Sequence, residues 1–276
     1  MRRKPSNIPS APSKVARSHD RLKRVSDPNR HSSPSENQLG EFSASVHGSR
    51  VTEALPFLDP INRIPGIRAA WIGRVSDLEI TGGRDEAMNQ LRGIHETAVR
   101  DFSGSTENWW RAEQVHGTEI ALVPGAPTIQ APDGLPVVPA VDGLLTNQPG
   151  VVLAIYVADC GPIWLADRTT GAIGLLHSGK KGTEGNILAK ALEIMAREFG
   201  TKPEDVTVVL GPCIRPPHYE IDFAAEIGRQ AKSAGITDFN DLGADTGADL
   251  ASYYSYRMEK GITGRMMALI VRDSIS

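Results

Sequence analysis

Between residues 151 and 177 the chain runs VVLAIYVAD, then PIWLAD, then AIGLLH, three apolar segments with little polar interruption. Unbroken runs of this length, rich in Val, Ile and Leu, predict strands buried on both faces. The polar RTTG between the second and third segments predicts a turn, so those two strands form a hairpin. The period then changes. In TEGNILAKALEIMAREFG, Ile187, Leu188, Ala191, Leu192, Met195 and Phe199 recur at helical spacing. Thr183 is the predicted N-cap of this helix, Glu184 its first-turn acid and Gly200 its stop. DVTVVLGPCI and GRMMALIVR predict two more strands, the last near the C-terminus. Adjacent strands with interspersed helices and no internal repeat predict an α+β layout from about residue 51 onward.

The first 50 residues have no such pattern. They are rich in Ser, Pro and basic residues and hold little to bury, so they are expected to form a disordered basic tail. Residues 1–50 hold 10 Lys+Arg against 4 Asp+Glu, a net charge of +6, and the remainder holds 20 against 29, a net charge of −9. An acidic folded part argues against nucleic acid as its main partner, because phosphate backbones need a basic face. No run reaches the roughly 20 apolar residues of a membrane span, and no apolar signal core follows the N-terminus, so no membrane partner and a cytoplasmic location are expected. Two cysteines, Cys160 and Cys213, cannot build a disulfide framework and fit a reducing compartment.

Cys160 follows the first apolar run and His177 closes the third. Neighbouring strand ends can bring two such side chains within metal-bond distance. His116, before a glycine in EQVHGTEI, offers a third ligand. Two imidazoles and a thiolate match zinc with three protein ligands and an open fourth position, the catalytic arrangement, in which bound water has its pKa lowered from about 15.7 to about 7. The spacing matches no short metal motif, and each histidine also reads as a satisfied structural residue. Beyond His177, Gly179 and Gly182 allow close backbone approach, Lys180 and Lys181 add charge and Thr183 opens a helix. That loop reads either as an anion site or as a capped basic turn.

The ordered series QVHG, VDGLLTN, ADCGPIWLAD, LLHSGKKGT, LGPCIRPPHYEI and SYR with TGRMMALI resembles the YfiH/LACC1 family. Its members are variously named laccase-domain, polyphenol oxidase, peptidoglycan editing factor or purine nucleoside phosphorylase proteins. The likeness spans about residues 110–271. It implies a CNF1/YfiH-like α+β fold with mixed β-sheets flanked by helices in a single domain over residues 51–276. It also implies zinc held by His116, Cys160 and His177, and phosphate-dependent cleavage of adenosine, inosine and methylthioadenosine, with adenosine deamination alongside. Purine nucleoside and phosphate are then the small-molecule partners, and the chain is expected as a monomer or homodimer. Asp159 becomes a proton shuttle or an orienter of a ligand histidine, or else a turn cap. Asp142 either matches a family position or closes an Asp-Gly turn. Ser178, Gly179, Lys180, Lys181 and Thr183 become the phosphate loop. Tyr256, Arg257 and Arg265 fall in the C-terminal motif, with Lys181 and Arg257 the catalytic cations.

Where the family usually reads His-Ala-Gly-Trp-Arg-Gly, this chain reads His177-Ser178-Gly179-Lys180-Lys181-Gly182. A planar bidentate fork is thereby replaced by point charges. Arg74 is the nearest counterpart of the family's N-terminal arginine. Three rival readings follow: a copper polyphenol oxidase, since His2Cys is also a blue-copper core; an enzyme of peptidoglycan editing; and a non-catalytic zinc-binding relative.

Overall fold

The computed structural model describes residues 55–274, so the basic tail expected over residues 1–50 lies outside the described residues. The first half contains α1 (Asp59–Asn62), β1 (Ile67–Ile72), α2 (Arg84–Ser103), β2 (Trp109–Arg111), β3 (Ile120–Leu122), β4 (Ile129–Gln130), β5 (Pro136–Val137) and β6 (Gly143–Thr146). Then follow β7 (Val152–Val157), β8 (Gly161–Asp167), β9 (Ile173–Ser178), α3 (Lys180–Glu184) and α4 (Ile187–Phe199). The chain continues through β10 (Val206–Leu210), α5 (Phe223–Ser233), β11 (Asp238–Asp241) and β12 (Met266–Arg272). No described helix is long and apolar enough to cross a membrane.

The strands form a four-stranded sheet, β1-β12-β7-β2, a six-stranded sheet, β11-β10-β8-β9-β6-β3, and the small pair β4-β5. Both larger sheets are mixed: β2 runs parallel to β7, β3 to β6 and β10 to β11, and the other pairs are antiparallel. The fold is α+β, with helices against sheets.

The unbroken apolar runs follow from the layering. On β7, Leu153, Ile155 and Val157 join a core with Trp164 and Ala166 of β8 and Leu175 of β9. The alternate residues Val152, Ala154 and Tyr156 join a separate core with Met88, Val99 and Phe102 of α2. On β8 the other face, Ile163 and Leu165, packs with Leu188, Ala191 and Met195 of α4 and with Phe223 and Ile227 of α5. Each central strand is therefore covered twice, which is why alternation is absent from its sequence. The Trp164 indole N–H donates to Leu269 O at 2.9 Å, tying one sheet to the other.

The predicted hairpin is β8-β9, with Pro162 opposite His177 and Gly161 opposite Ser178. Asp167 accepts from the Thr169 and Thr170 amides and the Thr170 hydroxyl, closing the RTTG turn. The first run, however, belongs to the other sheet. The chain crosses between the sheets over Ala158–Cys160, where Asp159 has φ +89°.

The helix predicted from Thr183 begins later. Lys180–Glu184 is a separate short helix, so Thr183 and Glu184 belong to it, and the N-cap of α4 is Asn186. Asn186 adopts the left-handed conformation, which Asn tolerates, and its side chain accepts from Ala189 N. Gly200 ends α4 as predicted, with φ +72°. Asn186→Ala should lower stability by about 1 kcal/mol in urea unfolding, from the lost cap.

Candidate metal centre

His116, Cys160 and His177 come together from three segments: the turn before β3, the crossing between the sheets, and the penultimate position of β9. Their ligand atoms lie within 4.8 Å of one another. The two imidazoles meet edge to face, with ring centroids 4.9 Å apart. His177 is buried, Cys160 half-buried and His116 exposed, so the group opens toward solvent on one side. That fits a site with an open position better than a closed structural one.

Asp142, the residue before β6, organises the trio. Its Oδ1 meets His177 Nδ1 at 2.8 Å, leaving Nε2 as the ring nitrogen for a metal. The same oxygen accepts from His116 N at 2.9 Å, and Oδ2 accepts from Gly117 N at 2.6 Å. Burial raises the Asp142 pKa, but the His177 imidazole and the two amides outweigh it, and the carboxyl is held below its usual range. A carboxylate behind a ligand histidine fixes tautomer and ring orientation. Gln114 adds a second tie: its side-chain amide donates to Tyr156 O at 2.5 Å, and Tyr156 N donates to Gln114 Oε1 at 2.9 Å.

The three donors also tune one another. Burial pushes the Cys160 thiol up, yet the His177 and His116 imidazoles outweigh it and bring the thiol down to about 6. Burial lowers His177, and the Cys160 thiolate and Asp142 reverse that, raising it to about 9. The thiol is thus poised as a thiolate, the form that binds metal. Gly179 completes the cradle, because a Cβ there would stand 2.6 Å from Cys160 Sγ. The other cysteine, Cys213, is enclosed and burial pushes it up to about 12.

The trio faces a cavity of about 900 Å³. Six cations line it, Arg84, Lys180, Lys181, Arg257, Lys260 and Arg265, against one carboxylate, Asp159. Ile214, Tyr219 and Phe223 give it an apolar wall. Of the predicted phosphate loop, Gly179, Lys180 and Lys181 reach the cavity. Ser178 and Thr183 do not line it: they are buried, and their hydroxyls bond each other at 2.9 Å. Asp159 orients no histidine. Its Oδ1 accepts from Thr246 Oγ1 and its Oδ2 from Arg257 N, both at 2.7 Å, so the orienting carboxylate is Asp142. Arg257 lines the cavity but is already paired, with Glu220 at 2.9 Å. Arg74 is not among the lining residues and pairs with Glu259 at 2.9 Å. Sequence reasoning missed Arg84 and Gln114. Gln114 stands beside the QVHG motif, whereas Arg84 carries no signal beyond being a polar residue at a helix start.

Two outcomes test this geometry. Asp142→Asn should weaken metal binding about 10- to 100-fold in competition with a chromogenic chelator. In metal-free protein, alkylation of Cys160 by iodoacetamide should rise with pH to a midpoint near 6 while Cys213 stays unmodified, and added zinc should protect Cys160 in peptide mapping.

The chain is similar to known proteins of one family. The family model described as multi-copper polyphenol oxidoreductase laccase matches residues 76–232 and 218–273. A purine nucleoside phosphorylase of Deinococcus radiodurans is 34% identical over 219 residues, 67% of this chain and 80% of its own length. The purine nucleoside phosphorylase YlmD of Geobacillus stearothermophilus is 29% identical over 228 residues, 71% and 82% of the two chains. The crystal structure of YlmD from that organism superposes with a TM-score of 0.63 at 25% identity, covering 76% of this chain and 93% of that one. YfiH of Bacillus licheniformis superposes at 0.65 with 20% identity, covering 74% and 92%. With its matched residues spanning most of the chain and the likeness extending to the fold, this protein belongs to the multi-copper polyphenol oxidoreductase laccase family, the family of YfiH.

Proposed function

We propose that this protein is a zinc-dependent purine nucleoside phosphorylase, acting on adenosine, inosine or methylthioadenosine. The observation that carries the reading is the cavity itself: a His-Cys-His group, an apolar wall and a cationic lining face one space, in a chain whose formal net charge is −3. A purine nucleoside needs the apolar wall and a few polar contacts. An oxyanion co-substrate needs the cations. The names of the relatives add support, since those of Deinococcus radiodurans and Geobacillus stearothermophilus are purine nucleoside phosphorylases.

In the reaction a phosphate oxygen bonds to the ribose anomeric carbon while the bond from that carbon to the purine nitrogen breaks. The electron pair leaves with the purine, which takes up a proton on a ring nitrogen. His116, Cys160 and His177 would hold zinc, with Asp142 fixing the His177 ring. When bound, zinc supplies Lewis-acid stabilisation of developing negative charge. Tyr219 and Phe223, packed edge to face with centroids 6.0 Å apart, give the purine an aromatic wall. We assign the proton transfer to Asp159, which takes up a proton from water or from the phosphate monohydrogen and dihydrogen pool and passes it to the purine nitrogen. Thr246 and the Arg257 amide hold its carboxylate and leave each oxygen a further lone pair. Lys180 and Lys181 stand exposed on the cavity wall, where they attract phosphate.

The multicopper rival finds less support in the geometry. Among the described residues one group of three could hold a metal, whereas a multicopper cluster needs further histidines. His95 is buried against Tyr156, with ring centroids 5.2 Å apart, and His218 pairs with Asp245 at 2.7 Å. Adenosine deamination alongside would need an acid-base group, a glutamate in other zinc deaminases, and among the described residues no glutamate lines the cavity. Zinc-loaded protein should release adenine from adenosine only when phosphate is present, and Cys160→Ser should abolish the release, as read by chromatography. Intact adenosine in every reaction would overturn the reading.

A further inference from the structure

Two buried arginines among the described residues are treated differently. Arg111 is 3% exposed and pairs with the buried carboxylate of Asp133. Arg265, at the head of the apolar strand β12, is 8% exposed, and among the described residues no carboxylate lies within salt-bridge distance of it. One arm of its guanidinium is tied back: Nη1 donates to Thr263 O at 3.0 Å and to Gly264 O at 2.8 Å. No hydrogen bond from its Nε or Nη2 to a described residue exists, and the side chain lines the cavity beside the metal trio. A buried charge without a partner is costly enough that proteins pair such groups.

Another cavity cation makes the anomaly larger. Arg84, the first residue of α2, lines the same cavity and also has no carboxylate within salt-bridge distance. Its Nη2 donates to Glu113 O at 2.7 Å, which holds the guanidinium near the turn that carries His116. Burial and the Arg84 charge together pull Arg265 below the usual arginine range, and Cys160, Tyr256 and Asp159 only partly offset them. The other cavity cations differ. Arg257 is answered by Glu220 and Lys180 stands 4.0 Å from Glu184, while Lys181 and Lys260, exposed like Arg84, carry no planar fork.

We infer that Arg265 and Arg84 together form a built oxyanion subsite of the cavity, and that its ligand is the orthophosphate co-substrate. Two guanidinium groups supply planar donor pairs matched to phosphate oxygens, which the lysine loop cannot. The anion would compensate the buried charge of Arg265. Ser178 and Thr183, with their hydroxyls bonded to each other, take no part. The identity of the anion rests on the phosphorylase reading above; the existence of the subsite does not. A nucleotide 5′-phosphate presents the same oxyanion, so the ligand's source has to be tested directly.

The test is calorimetric titration of the full chain, with and without added zinc, using orthophosphate and, in a parallel arm, adenosine 5′-monophosphate. The variants are Arg84→Ala, Arg265→Lys, which keeps the charge but not the fork, and Lys180→Ala with Lys181→Ala as the comparison. Thermal melts verify that each is folded. Orthophosphate should bind the parent chain with or without zinc, and its Kd should rise about tenfold or more in Arg84→Ala and in Arg265→Lys, as expected for lost charge-assisted bonds, with a smaller change in the lysine variant. An unchanged Kd in folded Arg84→Ala and Arg265→Lys, or a loss confined to the lysine variant, would overturn the subsite. Tighter binding of the nucleotide than of orthophosphate, lost in Arg84→Ala, would overturn the co-substrate assignment. The two readings fail separately. Orthophosphate binding that depends on the arginines without purine release removes the phosphorylase reading alone, and purine release with arginine-independent binding removes the subsite alone.

Discussion

The carboxylate of Asp142, fully buried, holds the His177 ring, the His116 amide and the Gly117 amide with its two oxygens. The segment it secures is conformationally awkward. Gln114 and His116 both have positive φ, at +65° and +64°, which disfavours a residue with a Cβ by about 1–2 kcal/mol each. Charge-assisted hydrogen bonds to amides offset such a penalty, because they are roughly twice as strong as neutral ones. Main-chain bonds complete the clamp: Asp142 N donates to Glu119 O at 2.8 Å, and His177 N donates to Asp142 O at 2.7 Å. One side chain thus joins a loop ligand to a strand ligand.

Cys160 reaches the same point by a different constraint. The chain leaves the four-stranded sheet at Val157 and enters the six-stranded sheet at Gly161, so three residues make the crossing. Asp159 anchors it from three sides. Its carboxylate accepts from Thr246 and from the Arg257 amide, and its carbonyl accepts from Ile214 N at 2.8 Å. The loops after β10 and before β12 are therefore stitched to the crossing that carries the thiol. Gly161 then pairs with Ser178, the residue next to the buried His177 of the same hairpin. The candidate metal group lies where the two sheets exchange the chain, and the cavity is lined from both sides of that crossing by Tyr156, Ala158, Asp159 and Cys160.

Much of this was legible in the residues, for identifiable reasons. Strands covered on both faces write themselves as unbroken apolar runs, and α4 writes itself through period and Gly200. The sheet to which each run belongs left no trace, because β7 and β8 are equally apolar. The N-cap was misplaced because Thr183 and Asn186 are both good caps, and the choice between them was made by a backbone in the left-handed region. The ligand trio was visible as residue types but not as spacing, since 116, 160 and 177 share no local motif. Asp142 was ambiguous because an aspartate before glycine reads the same whether it closes a turn or supports a histidine. Arg265 had a visible signal, an arginine heading the apolar run GRMMALIVR, whereas Arg84 had none.

The lysines that stand where the family usually has Trp and Arg change meaning in this setting. Lys180 and Lys181 are exposed, so water and salt screen their charge and their long side chains hold no fixed geometry. The glycine between Ser178 and Lys180 is required by a different contact, the Cys160 sulfur, and the hydroxyls of the loop are spent on one another. What remains to this loop is a field. Exposed cations at the mouth of a cavity raise the local concentration of anions without fixing their orientation, and fixed orientation requires planar donors in a drier place. Among the described residues Arg265 is the one cavity cation in such a place. Replacing a fork by point charges at the loop then separates attraction from positioning, and the positioning falls to an arginine whose burial is otherwise uncompensated.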